Sequence, residues 1–138
     1  MSEMHPYVLI VEADEDNRYL LYTAFTSAGW AVPLKFMDSG ELALKYLQQL
    51  SPSFYPSLII LDMNMPGLNG NEVLALIRKG EDMKNIPIVF YSTAMKPVVS
   101  ELLMALGAAG CFEIPDEMDK VVQLANEFIQ ESKPAELE

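Results

Sequence analysis

Reactive side chains in this chain gather in three short stretches. Glu12-Ala13-Asp14-Glu15-Asp16 directly follows the apolar run Val8-Leu9-Ile10-Val11. Asp62-Met63-Asn64-Met65-Pro66-Gly67-Leu68-Asn69-Gly70 opens on an acid at the end of Leu58-Ile59-Ile60-Leu61. Ser92 and Thr93 follow Ile88-Val89-Phe90-Tyr91. Carboxylates converging from the first two stretches would offer the hard oxygen ligands that suit Mg2+. A carboxylate can also attack phosphorus to form an aspartyl-phosphate, and a metal offsets the repulsion between the two anions. A hydroxyl such as Ser92 can donate to a phosphoryl oxygen. The first acidic run has another reading: acids at a helix N-terminus suit the macrodipole without any ligand. Asp62 is harder to dismiss, because an ionised carboxylate ending a buried strand carries a desolvation cost.

The elements around these stretches read as an alternation of strands and helices. Three of the apolar runs are unbroken, and Cys111-Phe112-Glu113-Ile114 is a shorter fourth. Unbroken apolar strands indicate a sheet covered on both faces, as in parallel α/β proteins. A further strand, Ala31 to Phe36, contains Pro33 and therefore belongs at an edge, since proline cannot donate to a ladder. Helical stripes lie between them: Leu20, Leu21, Ala24, Phe25 and Ala28; Ala43, Tyr46, Leu47 and Leu50; Val73, Leu76 and Ile77; Val99, Leu102, Leu103 and Leu106; Val121, Ala125, Phe128 and Ile129. Each stripe reads as core packing. Asp38 and Glu41 stand at capping-box spacing before the second. Five β-α units with short connections make an α/β doubly wound domain, whose ligands bind beyond the carboxyl ends of the strands.

The 138 residues suit one domain, and 51% of them are hydrophobic. A formal net charge of −11 argues against direct binding to nucleic acid or anionic membrane. Cys111 is the single cysteine, which rules out an internal disulfide and is consistent with a reducing cytosol. His5, the single histidine, rules out a histidine-rich metal site. There is no signal-peptide pattern at the amino end and no apolar run approaching the roughly 20 residues that span a bilayer. The expected location is cytoplasmic.

Taken together, Leu58 to Gly70, Val8 to Asn17, Ile86 to Ser92 and Gly107 to Pro115 resemble the receiver domain of two-component response regulators, in order and in spacing. The similarity covers about residues 5–132, leaving 133–138 as a polar tail. The resemblance implies a flavodoxin-like (βα)5 fold, a five-stranded parallel sheet of order 2-1-3-4-5 with helices on both faces. It implies a stand-alone, non-enzymatic receiver whose Asp62 accepts a phosphoryl group from a histidine kinase or phosphotransfer protein. Ser92 would hydrogen-bond the phosphoryl group and act as a switch. Mg2+ would be held by Glu12, Asp62, the backbone carbonyl of Asn64 and, as a substitute ligand, Asp14. An unidentified downstream protein would read the altered surface. A weak homodimer through the fourth helix, fifth strand and fifth helix is a further expectation.

Three positions depart from the family pattern. Ala13 stands where an acid normally binds the metal. Ile114 stands where a lysine normally pairs with the acceptor. Cys111 stands where an aromatic switch residue is usual. Losing the lysine's charged hydrogen bond is expected to cost about 1.5–3 kcal/mol, although Lys96 offers another route to the site. Weakened Mg2+ binding follows, and with it the alternative of a degenerate pseudo-receiver that serves as a phosphorylation-independent interaction module. A flavodoxin is disfavoured because Glu12 to Asp16 would repel the FMN phosphate. An aspartyl-phosphate hydrolase is disfavoured because Asn64 cannot serve as its general acid.

Overall fold

The computed structural model describes residues 6–29, 33–63, 65, 67–80, 82–92, 94–113, 120, 123 and 126. Five strands, β1 (Val8–Val11), β2 (Leu34–Met37), β3 (Leu58–Asp62), β4 (Ile88–Ser92) and β5 (Gly110–Glu113), form one parallel sheet of order β2-β1-β3-β4-β5. The helices between them are α1 (Glu15–Ser27), α2 (Gly40–Gln49), α3 (Gly70–Lys79) and α4 (Pro97–Ala105), with a 3-10 turn at Pro52–Phe54. This is the expected flavodoxin-like sheet. Pro33 lies just before β2 rather than within it, and β2 is an edge strand.

Strand alternation divides the core in two. Leu9, Val11, Ile59, Leu61, Ile88 and Phe90 face α2, α3 and α4. Val8, Ile10, Leu58, Ile60, Val89 and Tyr91 face Leu21, Ala24 and Phe25 of α1. All of β1, β3 and β4 is buried, which explains their unbroken apolar sequences. Not every helical stripe is core. Leu76, Leu102 and Leu106 are exposed. The buried face of α3 is Val73, Leu74 and Ile77, which turns Leu76 outward. In α4 only Leu103 is fully covered, with Val99 packed at the margin of the core. The fifth stripe, Val121 to Ile129, and the 133–138 tail fall outside the described residues, although Lys120, Gln123 and Asn126 are helical.

The helix starts are set by polar side chains. Asp14 caps α1, accepting from the amides of Asp16 and Asn17. The expected Asp38–Glu41 capping box is absent, because α2 begins one residue later. Ser39 caps it by accepting from Leu42 N at 3.1 Å. Glu41 instead accepts from Leu68 N at 3.2 Å and so braces the loop after β3. Gly67 in that loop has φ +76, and a Cβ there would lie 2.8 Å from the Glu41 carboxylate. The capping box that does form joins Asn69 and Glu72 at the start of α3.

Two features fix α3 against the sheet. At its first residue, Gly70, a Cβ would meet Phe90 Cε1 at 2.7 Å and the Asp62 carbonyl at 3.0 Å, so glycine lets the helix start close to the end of β3. At its last turn, Arg78 donates to the carbonyls of Met83 (3.5 Å), Ile86 (3.1 Å) and Gly107 (2.9 Å). It thereby ties α3 to the connections that enter β4 and β5. Gly70→Ala is expected to destabilise the domain by about 1–3 kcal/mol through overpacking, read as a lower urea midpoint at unchanged slope.

Candidate functional site

Parallel register builds the site. Val11 pairs with Leu61, so Glu12 emerges beside Asp62. Asp62 in turn pairs with Tyr91. These three neighbours, from β1, β3 and β4, belong to one face of the sheet, the face covered by α1. The acids at positions 12 and 62 therefore stand at the ends of neighbouring strands on the carboxyl rim. Glu12 is 1% exposed and Asp62 8%.

Both carboxylate oxygens of Glu12 accept hydrogen bonds. One carboxylate oxygen accepts from the Tyr91 hydroxyl, and the other accepts from Asp14 N at 2.9 Å. Its backbone carbonyl accepts from the Arg18 guanidinium at 2.7 Å. The Tyr91 ring, whose position the sequence does not reveal, thus lies across the β3 rim and ends on β1. Burial first, then the Glu12 carboxylate, with smaller effects from Asp62 and Asp14, push the Tyr91 phenol far above its ordinary value. It stays a neutral donor. Asp14 is exposed, and its Oδ1 accepts from Asp16 N (2.7 Å) and Asn17 N (3.3 Å). The helix-cap reading of the acidic run therefore describes Asp14, Glu15 and Asp16.

Ser92 closes β4 and is 4% exposed. Its hydroxyl accepts from Ala94 N at 3.2 Å and lies 3.4 Å from the Ala94 carbonyl, forming a local turn. Lys96 is the exposed residue that precedes α4. Cys111 is half-buried, with Sγ 3.8 Å from the Ser100 carbonyl, so it tethers β5 to α4. Glu113 accepts from Met95 N at 3.3 Å and makes a second link between these elements. Asn64, Thr93, Ile114 and Pro115 fall outside the described residues.

Among the described residues, Glu12 and Asp62 are the rim carboxylates that a divalent cation here would have to use. Ala13 supplies no side-chain oxygen, and both Glu12 oxygens already accept hydrogen bonds. Among the described residues no group of three or more His, Cys, Asp and Glu side chains is gathered as a metal centre.

With this fold and rim, residues 8–126 match the response regulator receiver domain model, and the chain belongs to that family. Receiver domains are signalling modules that generally bind Mg2+ and interact with histidine kinases or phosphotransfer proteins. Response regulator Rcp1 of Synechocystis is 33% identical over 90 residues, covering 63% of this chain and 61% of that protein. The probable methanogenesis regulatory protein FilR2 of Methanothrix harundinacea is 29% identical over 89 residues, covering 63% of this chain and 57% of that protein. The chain thus spans about three-fifths of these relatives' length. Among solved structures, a response regulator from Hahella chejuensis superposes with a TM-score of 0.81 at 25% identity, covering 94% of this chain and 96% of that one. The Mn(2+)-bound form of Rcp1 superposes at 0.77 with 24% identity, covering 88% and 90%, and supports the fold. No helix among the described residues is long and apolar enough to cross a membrane.

Tyr91→Phe deletes a buried donor to a carboxylate and is expected to cost about 1.5–3 kcal/mol at neutral pH. The unfolded chain's tyrosine ionises near its ordinary value of 10.0, whereas the folded phenol's value is raised. The stability Tyr91 contributes is therefore complete below that pH and is lost as pH rises above it. Urea titrations at neutral pH and above pH 10 should show the gap between wild type and Tyr91→Phe narrowing at the higher pH.

Proposed function

We propose that the domain, residues 5–132, is a phosphorelay receiver whose acceptor is Asp62. The observation that carries this reading is the position of Asp62 at the carboxyl end of the central strand, between Glu12 and the end of β4. An Asp62 carboxylate oxygen would form the new bond to phosphorus as the phosphorus–nitrogen bond to a partner's phosphohistidine breaks, and the freed histidine would take up a proton. Ser92 would exchange its local bond with Ala94 for one to a phosphoryl oxygen. That exchange would disturb the turn leading into α4, whose outer side would present the altered surface to a downstream protein. No hydrolytic or other enzymatic turnover is assigned, and the proposed setting is the cytoplasm. Asp62 and Ser92 carry the proposed phosphoryl roles, and Glu12, Asp62 and the Asn64 backbone carbonyl are the proposed metal ligands, with Asp14 as a substitute.

The bond between Glu12 and Tyr91 favours a second reading, a pseudo-receiver that keeps the fold and its protein-binding surface while responding little to phosphoryl donors. Ala13 and the uncharged Ile114 point the same way. One experiment separates the two: incubation with acetyl phosphate, with and without Mg2+, followed by intact mass. Wild type is expected to gain one phosphoryl group slowly or partially, and Asp62→Asn none. No gain in wild type over many hours would establish the pseudo-receiver. Labelling of Asp62→Asn would move the acceptor elsewhere.

A further inference from the structure

The Tyr91 hydroxyl reaches an acid that Tyr91 does not adjoin in sequence or in the sheet. Glu12 and Tyr91 are both 1% exposed. β3 separates their strands, so the phenol reaches past the Asp62 position to find its acceptor. The other Glu12 oxygen is held by Asp14 N, and the Glu12 carbonyl by Arg18. The carboxylate is thus held by two donors, a phenol and an amide, while a guanidinium holds the backbone of the same residue. Its neighbour Ala13 cannot take over as an oxygen donor.

We infer that Tyr91 is a positioning residue that keeps Glu12 turned inward, so that a divalent cation taking Glu12 as a ligand competes with the phenol for it. The family's acid-rich rim is here closed by a neutral hydroxyl. A cation entering it competes against a buried, charge-assisted hydrogen bond, which is worth about a ten- to hundred-fold change in an equilibrium constant. In this role Tyr91 acts through Glu12, the acceptor of its hydroxyl. The inference builds on the placement of the acids in the proposed function, but it does not need Asp62 to accept phosphate. Metal binding is read without a phosphoryl donor, so either idea can fail without the other.

The test is titration with Mn2+ alone, following the free aqua ion by electron paramagnetic resonance. Tyr91→Phe is expected to bind Mn2+ about ten- to hundred-fold more tightly than wild type. The double variant Tyr91→Phe/Glu12→Gln is expected to lose that gain. A gain of affinity is a readout that damage to the fold does not produce. Equal or weaker binding by Tyr91→Phe, or a gain that survives Glu12→Gln, would overturn the inference. A measurement on wild type stands independently of whether the variants fold. The buried phenolic proton should give a slowly exchanging downfield proton resonance that disappears in step with Mg2+ occupancy. Metal binding with that resonance intact, or its absence from the metal-free protein, would equally refute the role of Tyr91.

Discussion

Like-charged side chains crowd the carboxyl rim of this sheet because parallel pairing leaves them nowhere else to go. The register that aligns Val11 with Leu61 and Asp62 with Tyr91 brings Glu12 and Asp62 side by side at low exposure. Two carboxylates so placed need electropositive partners, since neither is well solvated. The partners found for Glu12 are a phenol, a backbone amide and, at its carbonyl, a guanidinium. Those donors decide which acids face inward and which remain at the surface. Asp14 is drawn into capping α1, and Glu15 and Asp16 remain exposed at its first turn. The acidic run is thus divided between two jobs by local hydrogen bonding.

The same rim is held in place from behind. Gly70 brings the start of α3 up to the Asp62 carbonyl and Phe90, and Glu41 braces the following loop through Leu68 N. Ser92, Cys111 and Glu113 connect the ends of β4 and β5 to the segment around α4. Their arrangement gives the proposed signal a short route: from a hydroxyl at the end of β4, through the turn at Ala94, to a helix whose outer side carries Val98, Leu102 and Leu106 in the open.

Much of this was legible in the sequence. The apolar runs at β1, β3 and β4 announced a sheet buried on both faces, and Pro33 marked the edge. Strand order alone puts the acids after β1 and β3 at the ends of adjacent strands. What the sequence hid was side-chain choice. Tyr91 reads as one more apolar position of β4, yet alternation puts it on the same face as Asp62 and Glu12, and its length carries the hydroxyl across β3. Counting alternate residues along β4 was the signal available for it. The helix stripes misled in a different way. Leu102 and Leu106 repeat with Leu103 at helical spacing, but a helix resting on the sheet by a narrow contact buries only part of an apolar face. At α2, Ser39 outcompeted Asp38 because a one-residue shift in the helix start moves the capping position with it.

Arg78 and the acidic run give the two ends of the sheet different electrostatics. At the end where β4 and β5 begin, the Arg78 cation is held by three carbonyl dipoles. At the other end, Asp14, Glu15 and Asp16 stand exposed as neighbouring charges of one sign, and dissolved ions weaken their mutual repulsion. Added electrolyte therefore relaxes a self-repulsion at the acidic rim that the Arg78 seam, a contact of one cation with carbonyl dipoles, does not share.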